Sequence, residues 1–204
     1  ICLDVLYRAR LSNEISIETG LPVYNVKKFS FAPGGAANIA FLCKRLGIEN
    51  VDLFGIVGED VYGEKLINIL EGENVGTDAI LMQSAGWSTY VYHKFYIESE
   101  EQSRFDIGSN NAINDDLIDQ LLGLLKERLS KYSCILINQQ VPNGIHSPKF
   151  IEELRALMDI TSAKVQWITD IRMPQDLYPK SIHKMNINEA RQLANTLGLS
   201  ENSS

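Results

Sequence analysis

The stretch APGGAANIAFLCKRLG, residues 32–47, sets two adjacent glycines directly before a segment with helical spacing. A glycine pair in that place permits positive φ, lets a ligand approach the backbone, and aims the unpaired N–H groups of the helix start at an electron-rich group. The phosphate-loop pattern is absent, because no Gly-Lys-Ser/Thr follows. The G-x-G-x-x-G fingerprint is absent too, because Gly34 and Gly35 are neighbours, and this argues against a nicotinamide-dependent Rossmann enzyme. Asn38 follows, with an amide that offers a donor and an acceptor to a hydroxyl. A tight turn and a polyol-binding turn built from Gly34, Gly35 and Asn38 both remain open.

Working outward, strand-like and helix-like segments alternate. ICLDVLY precedes the glycines as a strand. The segment GAANIAFLCKRLG carries apolar Ile39, Phe41, Leu42 and Leu46 and stops at Gly47. VDLFGIVG reads as a buried strand and EDVYGEKLINILEGENV as an amphipathic helix. Further on, DDLIDQLLGLLKERLSKY places Leu117, Ile118, Leu121, Leu122, Leu125 and Leu129 at helical spacing. The strand CILINQ, the helix SPKFIEELRALMD, the strand VQWITD and the pair HKMNI and NEARQLANTLG follow. This alternation predicts an α/β fold with a doubly wound, mostly parallel sheet.

Two stretches break the rhythm. Residues 14–31 and 88–107 are rich in β-branched and aromatic residues without helical period, and predict a small β-sheet lid. In TYVYHKFYIES, Thr89, Val91, His93, Phe95 and Ile97 face one way, and Tyr90, Tyr92, Lys94, Tyr96 and Glu98 the other. Such a ribbon is suited to cover a site or to pair two subunits into a homodimer.

The formal net charge of -7 gives no general attraction for nucleic-acid phosphates or anionic membranes, so the expected partner is a small molecule. No apolar run reaches the roughly 20 residues of a membrane span and no secretion signal opens the chain, which points to the cytoplasm. Cys2, Cys43 and Cys134 are far apart in apolar surroundings and are expected as reduced core residues. His93, His146 and His183 are isolated and suit structural roles rather than a metal.

The ordered motifs PGGAANIA, LFGIVGEDVYGEKL and NVGTDAI together resemble the first signature region of the ribokinase-like, or PfkB-type, carbohydrate kinases. ILINQ sits where that family has its central strand. WITDIR resembles its Asp-x-x-Arg strand end and KMNINEA its Asn-x-x-Glu motif. Within the family, NEISIETGLPVYNVKKFSFAPGGAANIA and SRFD look most like the kinase domain of the heptose-phosphate kinase and ADP-heptose synthase branch.

The resemblance implies transfer of the γ-phosphoryl of ATP to a hydroxyl of a sugar or sugar phosphate, with Mg²⁺. It implies sugar-binding roles for Asp4, Gly34, Gly35 and Asn38. Asn186 and Glu189 would serve the ATP phosphates, with Glu189 toward the metal and its waters, and Arg172 would meet phosphate. By residue type alone Asp4 equally suits a cap or turn. By spacing alone Asn186 and Glu189 suit a helix cap with an acidic first turn better than a phosphate site, and only the resemblance reverses that; Arg172 suits an ion pair with Asp170 as well.

The family's Gly-Ala-Gly-Asp motif, whose Asp is the general base, does not occur; only LSENSS follows Gly198. The expectation is therefore one kinase domain over residues 1–204, cut at both ends and without its catalytic base. The alternative is a non-catalytic sugar-binding or dimerisation module derived from the same fold.

Overall fold

The structure is a computed structural model that describes residues 1–172 and 178–198. It divides into two compact units, Ile1–Asn111 and Ala112–Ser204.

In the first unit β1 (Cys2–Ile15) is twice the length expected of ICLDVLY, because alternation of buried and solvent-facing positions continues through Ala9. It forms an antiparallel hairpin with β2 (Pro22–Gly34), with a register shift between Arg8 and Ala9. On its other side β1 pairs in parallel with β5 (Tyr90–Ile97). The short strands β6 (Glu100–Glu101) and β7 (Phe105–Ile107) pair antiparallel with β5. Residues 14–31 and 88–107 thus extend the sheet built on β1.

The remainder of this unit runs α1 (Ala36–Arg45), β3 (Asp52–Gly58), α2 (Val61–Gly72) and β4 (Gly76–Gln83), with β3 and β4 parallel. β4 lies in the segment quoted above only as the motif NVGTDAI, and with β3 and α2 it completes a β-α-β unit. Leu3, Val5, Val57, Leu66, Leu70 and Val91 anchor the core. The burial of α1 differs from what its large apolar residues suggest. Ala37 and Ala40 are the buried positions, whereas Leu42 and Leu46 are exposed. Small side chains on the inner face let a helix backbone lie close to its neighbours.

The second unit contains α3 (Asp115–Arg128), a 3-10 turn (Leu129–Lys131), β8 (Cys134–Gln139), α4 (Pro148–Thr161), β9 (Gln166–Ile171), β10 (Ile182–His183) and α5 (Ile187–Thr196). The three strands are parallel, with β9 in the centre. α3 buries Ile118, Leu121, Leu122 and Leu125, the face its spacing predicts. Of the three cysteines only Cys2 is buried. Cys134 is exposed, correcting its placement in a core, because it opens β8 at the sheet edge. No helix among the described residues is long and apolar enough to cross a membrane.

Candidate functional site

The antiparallel register pairs Cys2 with Gly34 and Asp4 with Ala32, so the glycine turn returns against the first strand beside the Asp4 carboxylate. A Cβ on Gly34 would stand 2.7 Å from Cys2 Sγ and 3.5 Å from Asp4 Oδ1, which is why this position has no side chain. Gly35 has a different constraint. It is the N-cap of α1 at φ 56° and ψ -132°, a conformation that belongs to glycine. No side chain caps α1 and no acidic residue occupies its first turn. Its leading N–H groups carry the positive end of the helix dipole, and no side chain of the N-cap or first turn satisfies them. Asn38 lies in that first turn and is exposed. The structure thus brings Asp4 and Gly34 together, with Gly35 and Asn38 following in the chain.

Asp4 is not a bare acceptor. Its Oδ2 takes a hydrogen bond from Lys94 Nζ at 2.8 Å, and both side chains are about three-quarters buried, at 21% and 24% exposure. On the same face the Arg104 guanidinium lies 4.3 Å from the centre of the Tyr92 ring and grips Asp106 through two bonds of 2.6 and 2.7 Å. Sequence reasoning set Lys94 on the correct ribbon face but gave it no role. The available signal was a lysine flanked by tyrosine and phenylalanine within a strand.

A second cluster underpins this region. Asp60 caps α2, accepting from the N–H groups of Tyr62 and Gly63 on Oδ1 and of Thr89 on Oδ2. Thr89 Oγ1 in turn accepts from Gly58 N–H at 2.9 Å. Burial pushes the Asp60 carboxyl up, but the bonds from Thr89, Gly63 and Tyr62 outweigh it and leave the group below its ordinary value. Cβ atoms on Gly58 and Gly63 would fall 2.2 Å from Asp60 Oδ2 and 2.4 Å from the Gly58 carbonyl, respectively. The spacing Gly58-x-Asp60-x-x-Gly63 was the readable trace of this cluster.

In the second unit, Asn186 and Glu189 form a reciprocal capping box at the start of α5. Asn186 Oδ1 accepts from the N–H groups of Asn188 and Glu189 at 2.9 and 3.0 Å, while Glu189 Oε2 accepts from Asn186 N–H at 2.7 Å. The cap leaves the Asn186 amide group and Glu189 Oε1 outside these bonds. Among the described residues no three His, Cys, Asp or Glu side chains cluster as a metal cage. One carboxylate oxygen beside an amide fits a Mg²⁺ ion that keeps most of its waters and is also held by substrate phosphates.

Asp170 pairs with Lys184 at 3.1 Å rather than with Arg172, correcting that alternative. Arg172 is placed through its backbone N–H, which donates to the carbonyl and side-chain oxygens of Gln139, both at 3.1 Å. Its guanidinium is exposed, with no ion-pair partner among the described residues. Each histidine meets a hydroxyl: His93 that of Tyr7, His146 that of Tyr178, and His183 that of Thr169.

The profile of the family described as pfkB family carbohydrate kinase matches residues 5–203. The Bifunctional protein HldE of Helicobacter acinonychis (strain Sheeba) is 31% identical over 127 residues, covering 62% of this chain and 27% of that protein. The Bifunctional protein HldE of Hydrogenovibrio crunogenus is 27% identical over 168 residues, covering 82% of this chain and 32% of that protein. The chain thus spans well under half the length of these curated relatives. Among solved structures, ribokinase from Cryptococcus neoformans var. grubii serotype A in complex with ADP shares the fold. Its TM-score is 0.62 and its identity 20%, covering 98% of this chain and 59% of the other.

Proposed function

The chain belongs to the pfkB family of carbohydrate kinases, and from that premise we propose that it supplies the sugar-binding and nucleotide-phosphate residues of an ATP-dependent kinase acting on a sugar or sugar-phosphate hydroxyl. The observation that carries this reading is the Gly34–Gly35 turn lying against the Asp4 carboxylate. A carboxylate accepts hydrogen bonds from hydroxyls, and a backbone without side chains lets a sugar ring approach. Asn38 adds an amide that both donates and accepts.

The phosphate roles fall to Arg172, Asn186 and Glu189 in the second unit. Arg172 would offer a planar guanidinium to phosphate oxygens, and Glu189 and Asn186 would hold the waters of a magnesium ion. Mg-ATP supplies the phosphoryl group and screens its charge. The protein's own share is to orient the acceptor hydroxyl and keep the phosphates in place, because phosphoryl transfer depends chiefly on positioning and electrostatic stabilisation. The general base belongs to none of the residues assigned here.

The test uses the protein expressed from its whole reading frame, with heptoses, hexoses, pentoses and their phosphates as acceptors. Magnesium-dependent ATP consumption with at least one of them is expected; none with any would overturn the reading. With a productive acceptor, Asp4→Asn raises its KM by about tenfold, the loss expected for a charge-assisted hydrogen bond.

A second reading, a dimerising sugar-binding module without catalysis, is favoured by the β1–β2 ribbon. Leu11, Tyr24 and Phe29 are exposed on it at 58%, 48% and 60%. An apolar strand face of this kind is suited to a second copy of the chain. Under that reading calorimetry registers heat with sugar and none with Mg-ATP, and sedimentation velocity reports a dimer.

A further inference from the structure

The parallel pairing sets Asp4 beside Tyr92, so Lys94 stands two residues further along β5 on the face Asp4 occupies. From there its ammonium reaches Asp4 Oδ2, while Oδ1 lies toward the Gly34 turn. The two carboxylate oxygens are therefore unequal. One is held by a cation, and the other faces the backbone that has no side chain.

Asp106, opposite Tyr92 in the antiparallel pairing, is held separately by Arg104, which stacks on Tyr92 and donates to both Asp106 oxygens. Lys94 uses one of its three N–H groups on Asp4, and its side chain keeps 24% exposure.

We infer that Lys94 is a sugar-binding residue acting as a pair with Asp4, and that the pair recognises a vicinal diol. A hydroxyl both donates and accepts. One donates to the Asp4 carboxylate while its oxygen accepts from Lys94, and its neighbour reaches Oδ1 at the glycine turn. A lone carboxylate satisfies only the donor half of each hydroxyl; the carboxylate–ammonium pair satisfies both. Removing one partner of a purely structural, largely buried ion pair lowers stability and leaves substrate affinity unchanged, which separates the two roles experimentally.

The inference rests on the kinase reading above, and its test uses the same protein with the best acceptor found there. In Lys94→Met the KM of that acceptor rises by about tenfold, the loss of one charge-assisted hydrogen bond, while kcat and the KM of ATP stay within about twofold. Lys94→Arg, which keeps donors in place, recovers most of the loss. The Asp4→Asn/Lys94→Met double variant falls short of the product of the two single losses, because the residues act as a unit. An analogue of the acceptor lacking one hydroxyl of the diol shows a smaller effect of Lys94→Met than the parent.

An unchanged acceptor KM in Lys94→Met overturns this inference and leaves the kinase reading standing. A lowered melting temperature with unchanged KM does the same by assigning the pair to the fold. Failure of the unaltered protein to consume ATP with any acceptor overturns both.

Discussion

An alanine at Gly35 would have to hold φ 56° with ψ -132°, a strained conformation for any residue with a Cβ. Gly35→Ala is expected to cost about 1–3 kcal/mol in urea unfolding. Gly34→Ala fails for another reason, contact with Cys2 Sγ, so the variant Cys2→Ala/Gly34→Ala should be more stable than the sum of the single costs predicts. Strict additivity would refute the contact. Local pattern makes the glycine pair visible, but the two different causes belong to φ and to a strand partner some thirty residues away. The same limit hid Lys94: alternation tells which face a residue takes but not what stands opposite. Asn186 and Glu189 show the converse. Their spacing suits a cap better than a phosphate site, and the reciprocal cap formed here accounts for the local signal.

At the scale of elements, Asp60 joins the start of α2 to the start of β5 through three backbone N–H groups. Asp60→Ala removes a helix cap and a cross-element bond together, at a cost of roughly 2 kcal/mol at pH 7. The sign of its pH dependence follows from a folded value below the ordinary 3.8. The stabilisation is present above the unfolded value and disappears as pH falls through the folded one. Urea midpoints of the parent and Asp60→Ala should therefore converge below about pH 4; a constant gap would show that the charge is irrelevant. Helices α3 and α4 were legible because large apolar residues repeat on one face. α1 misled because its buried face is alanine. The parallel β1–β5 pairing was illegible for a related reason, since nothing local names a strand's distant neighbour.

Across the whole molecule the three histidines act in one direction. Burial lowers His93, His183 and His146 below 6.5, the last to about 4. The unfolded chain then binds more protons in that window, so stability is complete above about pH 6.5 and declines as pH falls toward the folded values. His146 alone accounts for a loss on the order of 3 kcal/mol across its window. Urea midpoints should drop between pH 7.5 and pH 5, and His146→Gln should flatten that slope; equal slopes would remove His146 from the account. β1 lies between β2 and β5, so both of its edges need partners from other parts of the chain. The β1–β2 hairpin can close as soon as it leaves the ribosome, but Cys2 must wait for Tyr90 before its other edge is paired. At roughly 5–20 residues per second, a nascent chain carries that open edge for several seconds, long enough for a chaperone or a neighbouring nascent chain to compete for it.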